Sequence, residues 1–139
     1  MENVQRNERI LVISVGLVVL SILLMFPVIQ GILKDTTPGA NPTSATIGIS
    51  LAIAIRLVFI AAYVKVIRAN RRNSKNRKGE YIGIGILLII FGLVYMDGAF
   101  AFLSHDNMLY VSVLMFTSIG CEFVAALMMI TLFFLKPRK

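Results

Sequence analysis

The sequence has little of what a water-soluble domain needs. Only 15% of its 139 residues are charged and 58% are hydrophobic, compared with roughly 45–50% apolar residues in an average soluble domain. Tryptophan is absent, and Cys121 is the one cysteine. A single cysteine forms neither an internal disulfide nor a thiolate metal cluster within the chain. The composition therefore disfavours soluble globular, disordered and disulfide-stapled secreted proteins.

Histidine is equally scarce, since His105 is the single one and lies beside Asp106. Haem ligation by two histidines and a histidine-rich metal site are therefore excluded within this chain. Nucleophile–base pairs and glycine-rich phosphate loops do not occur at a suitable spacing. We expect no metal, no cofactor and no enzymatic activity, and we interpret His105 as a polar residue of a surface turn.

What the sequence does have is four long apolar stretches. Each is long enough for a transmembrane helix, which needs about 20 residues at a rise of 1.5 Å per residue. Backbone amides in lipid must be satisfied within their own segment, so each stretch is predicted to be helical. We predict an all-α integral membrane protein with a single domain, residues 1–139, built as an antiparallel up-down four-helix bundle. The predicted spans are residues 10–33, 46–67, 81–103 and 109–135.

Basic residues indicate the orientation of these spans. They crowd the loop of residues 68–80 and both ends of the chain, whereas the other two connections hold one lysine and none. By the positive-inside rule, both termini and this loop are cytoplasmic. The loop lacks the interleaved aromatic residues of a nucleic-acid site, so no nucleic-acid partner is expected. Its basic residues are candidates for contact with lipid headgroups: Arg68, Arg71, Arg72, Lys75, Arg77 and Lys78.

Three ionisable residues lie well inside the predicted spans. Depths are counted along each helix from the end of its predicted span on the outer side of the membrane. They are about 15 Å for Arg56, 20 Å for Glu122 and 9 Å for Asp97. A charge at the centre of a bilayer costs about 2.5–3.5 kcal/mol on insertion scales. Because uncompensated charges are so costly there, we predict a buried charge network of Arg56, Asp97 and Glu122.

Small residues accompany these charges on their helices. Gly48 and Ala52 precede Arg56, and Ser118 and Ala125 flank Glu122. Small side chains allow two helix backbones to approach closely. These four residues are therefore predicted to be helix-packing positions.

Two functions remain open. One arginine against two acids leaves a surplus negative charge, which either a basic residue of a partner or protonation of Glu122 would relieve. The first hypothesis is a small non-catalytic accessory or structural subunit of a larger membrane complex. Its partners would be membrane lipids and other subunits or copies of itself. The alternative is a homo-oligomeric small transporter or channel that uses Glu122 and Arg56 as a mid-membrane coupling or binding site. The expected location is a bacterial or archaeal cytoplasmic membrane.

Overall fold

The chain folds into four long helices. The computed structural model describes residues 2–35, 41–72, 78–105 and 108–134, and no β-strand occurs among them. The helices are α1 (Glu2–Leu33), α2 (Pro42–Arg72), α3 (Lys78–Phe102) and α4 (Leu109–Phe134). Each covers nearly all of one predicted span. α1, α2 and α3 begin before theirs, and α2 also ends after its own. At 1.5 Å per residue even α3, the shortest with 25 residues, is about 38 Å long, which exceeds the roughly 30 Å of a hydrocarbon layer.

The second helix begins where its sequence provides a cap. The Oδ1 atom of Asn41 accepts a hydrogen bond of 3.1 Å from the backbone N–H of Ser44, as an N-cap side chain does. Pro42 follows at the first helical position, where its missing N–H costs nothing. These two residues account for a start earlier than the apolar run alone predicts.

The outer surface of the bundle is apolar. Large hydrophobic side chains are exposed on all four helices, with Leu20, Val58, Val94 and Leu127 as examples. All four helices are long and apolar enough to cross a membrane. An apolar surface of this extent is suited to contact with lipid rather than with water. The protein is thus a membrane-embedded helix bundle.

The helices do not contact one another equally. α4 packs along both α1 and α3, and α1 also packs along α2, whereas α2 and α3 barely touch. Arg71 of α2 donates a hydrogen bond of 2.6 Å to Glu8 of α1 at one end of the bundle, here named the Arg71 end. At the opposite end, the His105 end, Nδ1 of His105 lies 2.8 Å from Oδ2 of Asp35.

The apolar interior consists of two clusters of side chains. The cluster nearer the Arg71 end includes Leu11, Tyr63 and Met129, and the cluster nearer the His105 end includes Met25 and Met115. Four buried polar residues lie where the two clusters meet and form what we call the polar layer: Ser21, Arg56, Ser118 and Glu122. The bundle therefore has a polar centre within an apolar core.

Glycines mark the places where two helices approach most closely. A Cβ atom built on Gly31 of α1 would overlap the side chain of Val111 on α4. On α3, Gly85 faces the backbone carbonyl of Ala126, and Gly92 faces the ring of Phe123. These contacts explain how α4 packs closely against two neighbours.

The contact at Gly31 yields a test of this packing. Val111 is completely buried and its β-branched side chain has little rotamer freedom, so it cannot move aside. We expect Gly31→Ala to destabilise the bundle by about 1–3 kcal/mol, the usual cost of overpacking. The measurement is the free energy of unfolding in mixed detergent micelles.

Gly16 on the same helix supplies the matched control. A Cβ atom there meets nothing within 4 Å, so Gly16→Ala should be neutral or should stabilise by up to about 1 kcal/mol through helix propensity. Equal effects of the two substitutions would contradict a close α1–α4 approach at Gly31.

Candidate functional site

An ion pair occupies the centre of the bundle. Nη2 of Arg56 on α2 donates to Oε2 of Glu122 on α4 over 2.7 Å, and each side chain is 1% exposed. Such a pair is held together by strong attraction, but removing both charges from water offsets much of that gain. The arrangement leaves each charge compensated by the other, and it ties α2 to α4 across the bundle.

A third helix reaches the same site through an aromatic ring. The Cζ atom of Arg56 lies 5.7 Å from the ring centroid of Tyr95 on α3, within the range of a cation–π interaction. The Nε atom of Arg56 is buried and has no hydrogen-bond partner among the described residues. The guanidinium therefore has an ionic contact with Glu122, an aromatic contact with Tyr95 and a buried Nε–H donor without a partner among the described residues.

Asp97 does not belong to this network, contrary to the prediction from its depth. Its side chain is exposed, and among the described residues it has neither a hydrogen bond nor an ion pair. The reason is angular. Two residues along an α-helix correspond to a rotation of about 200°, so a helix that turns Tyr95 toward Arg56 turns Asp97 away from it.

The small residues around the ion pair fall into two groups. Ala52, Ser118 and Ala125 are completely buried, in line with a role in helix packing. Gly48 is not such a position, because it is only partly buried and a Cβ atom there would meet nothing within 4 Å. The prediction for Gly48 is wrong because this face of α2 looks into open space and not onto a neighbouring helix.

Hydroxyl groups connect the helices on both sides of the ion pair. Ser21 and Ser118 share a hydrogen bond of 2.9 Å, and Ser118 also donates to the carbonyl oxygen of Ser21. Ser14 lies 2.5 Å from the hydroxyl of Tyr63 and donates to the carbonyl oxygen of Ala125.

Sequence reasoning missed Ser14, Ser21 and Tyr63 in this arrangement. The signal was nevertheless present, because two serines seven residues apart lie on the same face of a helix. Hydrogen bonds of this kind join helices in the absence of water.

The predicted headgroup residues lie at the Arg71 end or outside the described residues. Arg68 is exposed, and Arg71 is bound to Glu8. The side chains of Arg72, Lys75, Arg77 and Lys78 lie outside the described residues, so the prediction for them stays open. Arg71 therefore has a protein partner that the sequence did not indicate.

The single histidine and the single cysteine each have few polar neighbours among the described residues. His105 pairs with Asp35, and its ring contacts that of Phe102 edge-on at 5.1 Å. Cys121 is a free, partly buried thiol. No group of three or more His, Cys, Asp or Glu residues lies together in the part of the chain that the structure describes.

A crevice with Tyr95 in its wall opens on the side of the bundle. It lies between α2 and α3 toward the His105 end and has a volume of about 330 Å³. Tyr95, whose ring contacts Arg56, forms part of its wall, together with Ile49, Phe102 and Met115. The crevice therefore approaches the polar layer from the side of the bundle.

Comparison with known proteins gives no match. Neither a model of a protein family, nor a curated protein sequence, nor a solved structure resembles this chain significantly.

The ion pair yields a second test. Breaking a buried pair by removing one partner costs about 3–5 kcal/mol, since the remaining charge is uncompensated. We expect Arg56→Met and Glu122→Gln each to lower the free energy of unfolding by an amount of this order. The double variant should lose much less than the sum of the two, because it leaves no unpaired charge.

A double-mutant cycle measured by unfolding in mixed micelles checks this coupling. Ser112→Ala serves as a control for loss of a buried polar group outside the polar layer, since Ser112 donates to the carbonyl oxygen of Ala99. Additive effects of Arg56→Met and Glu122→Gln would rule out the pair.

Proposed function

We propose that the protein is a small non-catalytic subunit of a larger membrane-protein complex, and that Asp97 is its main contact with a neighbouring subunit. The single observation that carries this proposal is an exposed carboxylate on an otherwise apolar helix face. Asp97 lies among Leu93, Val94 and Phe100, which are 55–61% exposed. A face of this kind is poorly suited to lipid and well suited to a partner.

The depth of Asp97 strengthens the argument. It lies five residues before the end of α3 at Phe102, about 8 Å along the helix axis. Ionisable residues within membrane spans normally pair with one another or with backbone groups, because bare charges there are costly. By charge complementarity, the proposed partner is a transmembrane helix that presents a lysine or arginine at this level.

Because Arg56 pairs with Glu122, the surplus negative charge among the three membrane residues belongs to Asp97. Arg56 and Glu122 neutralise each other inside the bundle, so Glu122 needs no partner from another chain. The remaining acid is Asp97. The charge that a neighbouring subunit would neutralise is thus on the surface and not in the core.

We propose further that successive helices cross the membrane in alternating directions, with both termini in the cytoplasm. Several contacts support this arrangement. Glu8 near the start of α1 meets Arg71 near the end of α2, and Gly31 near the end of α1 meets Val111 near the start of α4. The positive-inside rule assigns the Arg71 end to the cytoplasm. We retain a bacterial or archaeal cytoplasmic membrane as the proposed location.

Native electrophoresis of solubilised source membranes tests the role of Asp97. We expect the wild-type chain to migrate in a complex of higher mass and Asp97→Asn to migrate alone, because only the charge has been removed. Asp97→Glu should restore the complex. Glu8→Gln, which also removes one carboxylate, is the matched control and should leave the complex intact.

Two outcomes of the electrophoresis would contradict the proposed subunit role. If Asp97→Asn remains in a complex of unchanged mass, or if the wild-type chain is a monomer in gently solubilised membranes, the proposed subunit role is wrong. A complex that contains this chain alone would favour the homo-oligomeric alternative described next.

A homo-oligomeric transporter or channel is the second candidate, and one observation favours it. The crevice between α2 and α3 reaches Tyr95, whose ring contacts Arg56. A motion of α2 or α3 would then connect the Arg56–Glu122 pair with the outside, as in coupling sites near the membrane midplane. In proteoliposomes this function predicts pH-dependent flux that Glu122→Gln abolishes. Absence of flux by the purified wild-type protein across a panel of ions would count against it.

A further inference from the structure

The crevice between α2 and α3 is called the slot below. Along α3 its wall runs from Tyr95 to Phe102, a distance of about 10 Å at 1.5 Å per residue. Its volume is about 330 Å³. A piece of α-helix of the same length, about 10–12 Å across with its side chains, would fill roughly 800 Å³ or more. The slot therefore has room for a single extended chain but not for another helix.

The lining of the slot changes along its length. Ile49, Phe102 and Met115 make its inner wall apolar, and all three are buried in the bundle. Asn41, Ser44 and His105 lie at the mouth, at the His105 end. A water molecule inside a protein needs two to four polar partners, which the apolar wall does not supply. The slot thus combines a polar entrance with an apolar inner wall.

The position of the slot determines what can enter it. α2 and α3 barely touch, so the slot opens to the side between two helices that are long and apolar enough to cross a membrane. A bilayer surrounds such an opening with hydrocarbon chains. An empty space would forfeit the dispersion contacts of its lining atoms, so an occupant is favoured.

We propose that this slot binds one acyl chain of a bilayer phospholipid, with the lipid's ester and phosphate groups at Asn41 and Ser44. The Oδ1 atom of Asn41 already accepts the backbone N–H of Ser44. Its amide nitrogen and the hydroxyl of Ser44 are the donors available for carbonyl and phosphate oxygens. The chain then lies against Tyr95 and covers the side of the bundle where α2 and α3 leave a gap.

A photoactivatable lipid tests this site. The purified full-length protein is placed in phosphatidylcholine nanodiscs that contain a phosphatidylcholine with a diazirine halfway along one acyl chain. After illumination, mass spectrometry measures labelling at Met115, which is 2% exposed, relative to Leu51, which is 57% exposed. Leu51 is two residues from Ile49 and so lies at the same depth on another face of α2. We expect Met115 to be labelled despite its burial.

A matched pair of glycine variants completes the design. Cβ atoms at Gly48, which lines the slot, and at Gly83, which does not, both meet nothing within 4 Å. Gly48→Leu fills the slot and should abolish labelling of Met115, whereas Gly83→Leu should leave it unchanged. Leu51 should be labelled equally in both variants. Gly98→Leu is a second slot-filling variant from α3, so the test survives if Gly48→Leu does not fold.

Two outcomes would overturn the proposal. One is the absence of label at Met115 in the wild-type protein while Leu51 is labelled. The other is labelling of Met115 that persists in folded Gly48→Leu or Gly98→Leu protein at the wild-type ratio to Leu51.

Discussion

An arginine and a glutamate in an apolar bundle must be buried together, and the geometry that unites Arg56 and Glu122 governs much of the remaining structure. Their 2.7 Å contact joins α2 to α4. α1 lies along both of these helices, and it contributes Ser21 to the same level. Apolar packing alone defines helix depth poorly, since many registers bury a similar area. A directional ionic contact with costly alternatives selects one register.

Two kinds of interaction hold the core together: apolar packing and hydrogen bonds between helices. Side chains on either side of it pack by shape, with glycines at Gly31, Gly85 and Gly92 that allow α4 to approach its neighbours. The hydroxyls of Ser14, Ser112 and Ser118 donate to backbone carbonyls of neighbouring helices. In a medium without water such bonds contribute modestly to stability, yet they strongly disfavour displaced packings. The close glycine contacts and the hydrogen bonds between helices both involve mainly α4.

Depth along a helix could be read from the sequence, whereas direction around it could not. Residue counting predicted four helices and brought Arg56 and Glu122 to neighbouring levels, because rise per residue is nearly constant. The same counting assigned Asp97 to the interior, although the rotation that turns Tyr95 inward turns Asp97 outward. The apolar composition of α3 all around its axis hid this rotation. The gap beside Gly48 could not be predicted from the sequence either, because it depends on how α2 and α3 pack against each other.

The distance in sequence between Arg56 and Glu122 has a consequence for the synthesis of the protein and its insertion into the membrane. Glu122 follows Arg56 by 66 residues, so at about 5–20 residues per second the ribosome needs about 3–13 s to supply it. During that interval α2 has its arginine but not its counterion. α3, which hardly touches α2, supplies the ring of Tyr95 but no counterion. The nascent chain must therefore keep Arg56 hydrated, or in contact with the insertion machinery, until α4 arrives. α4, made after α2, therefore brings the counterion that stabilises α2 in the bilayer.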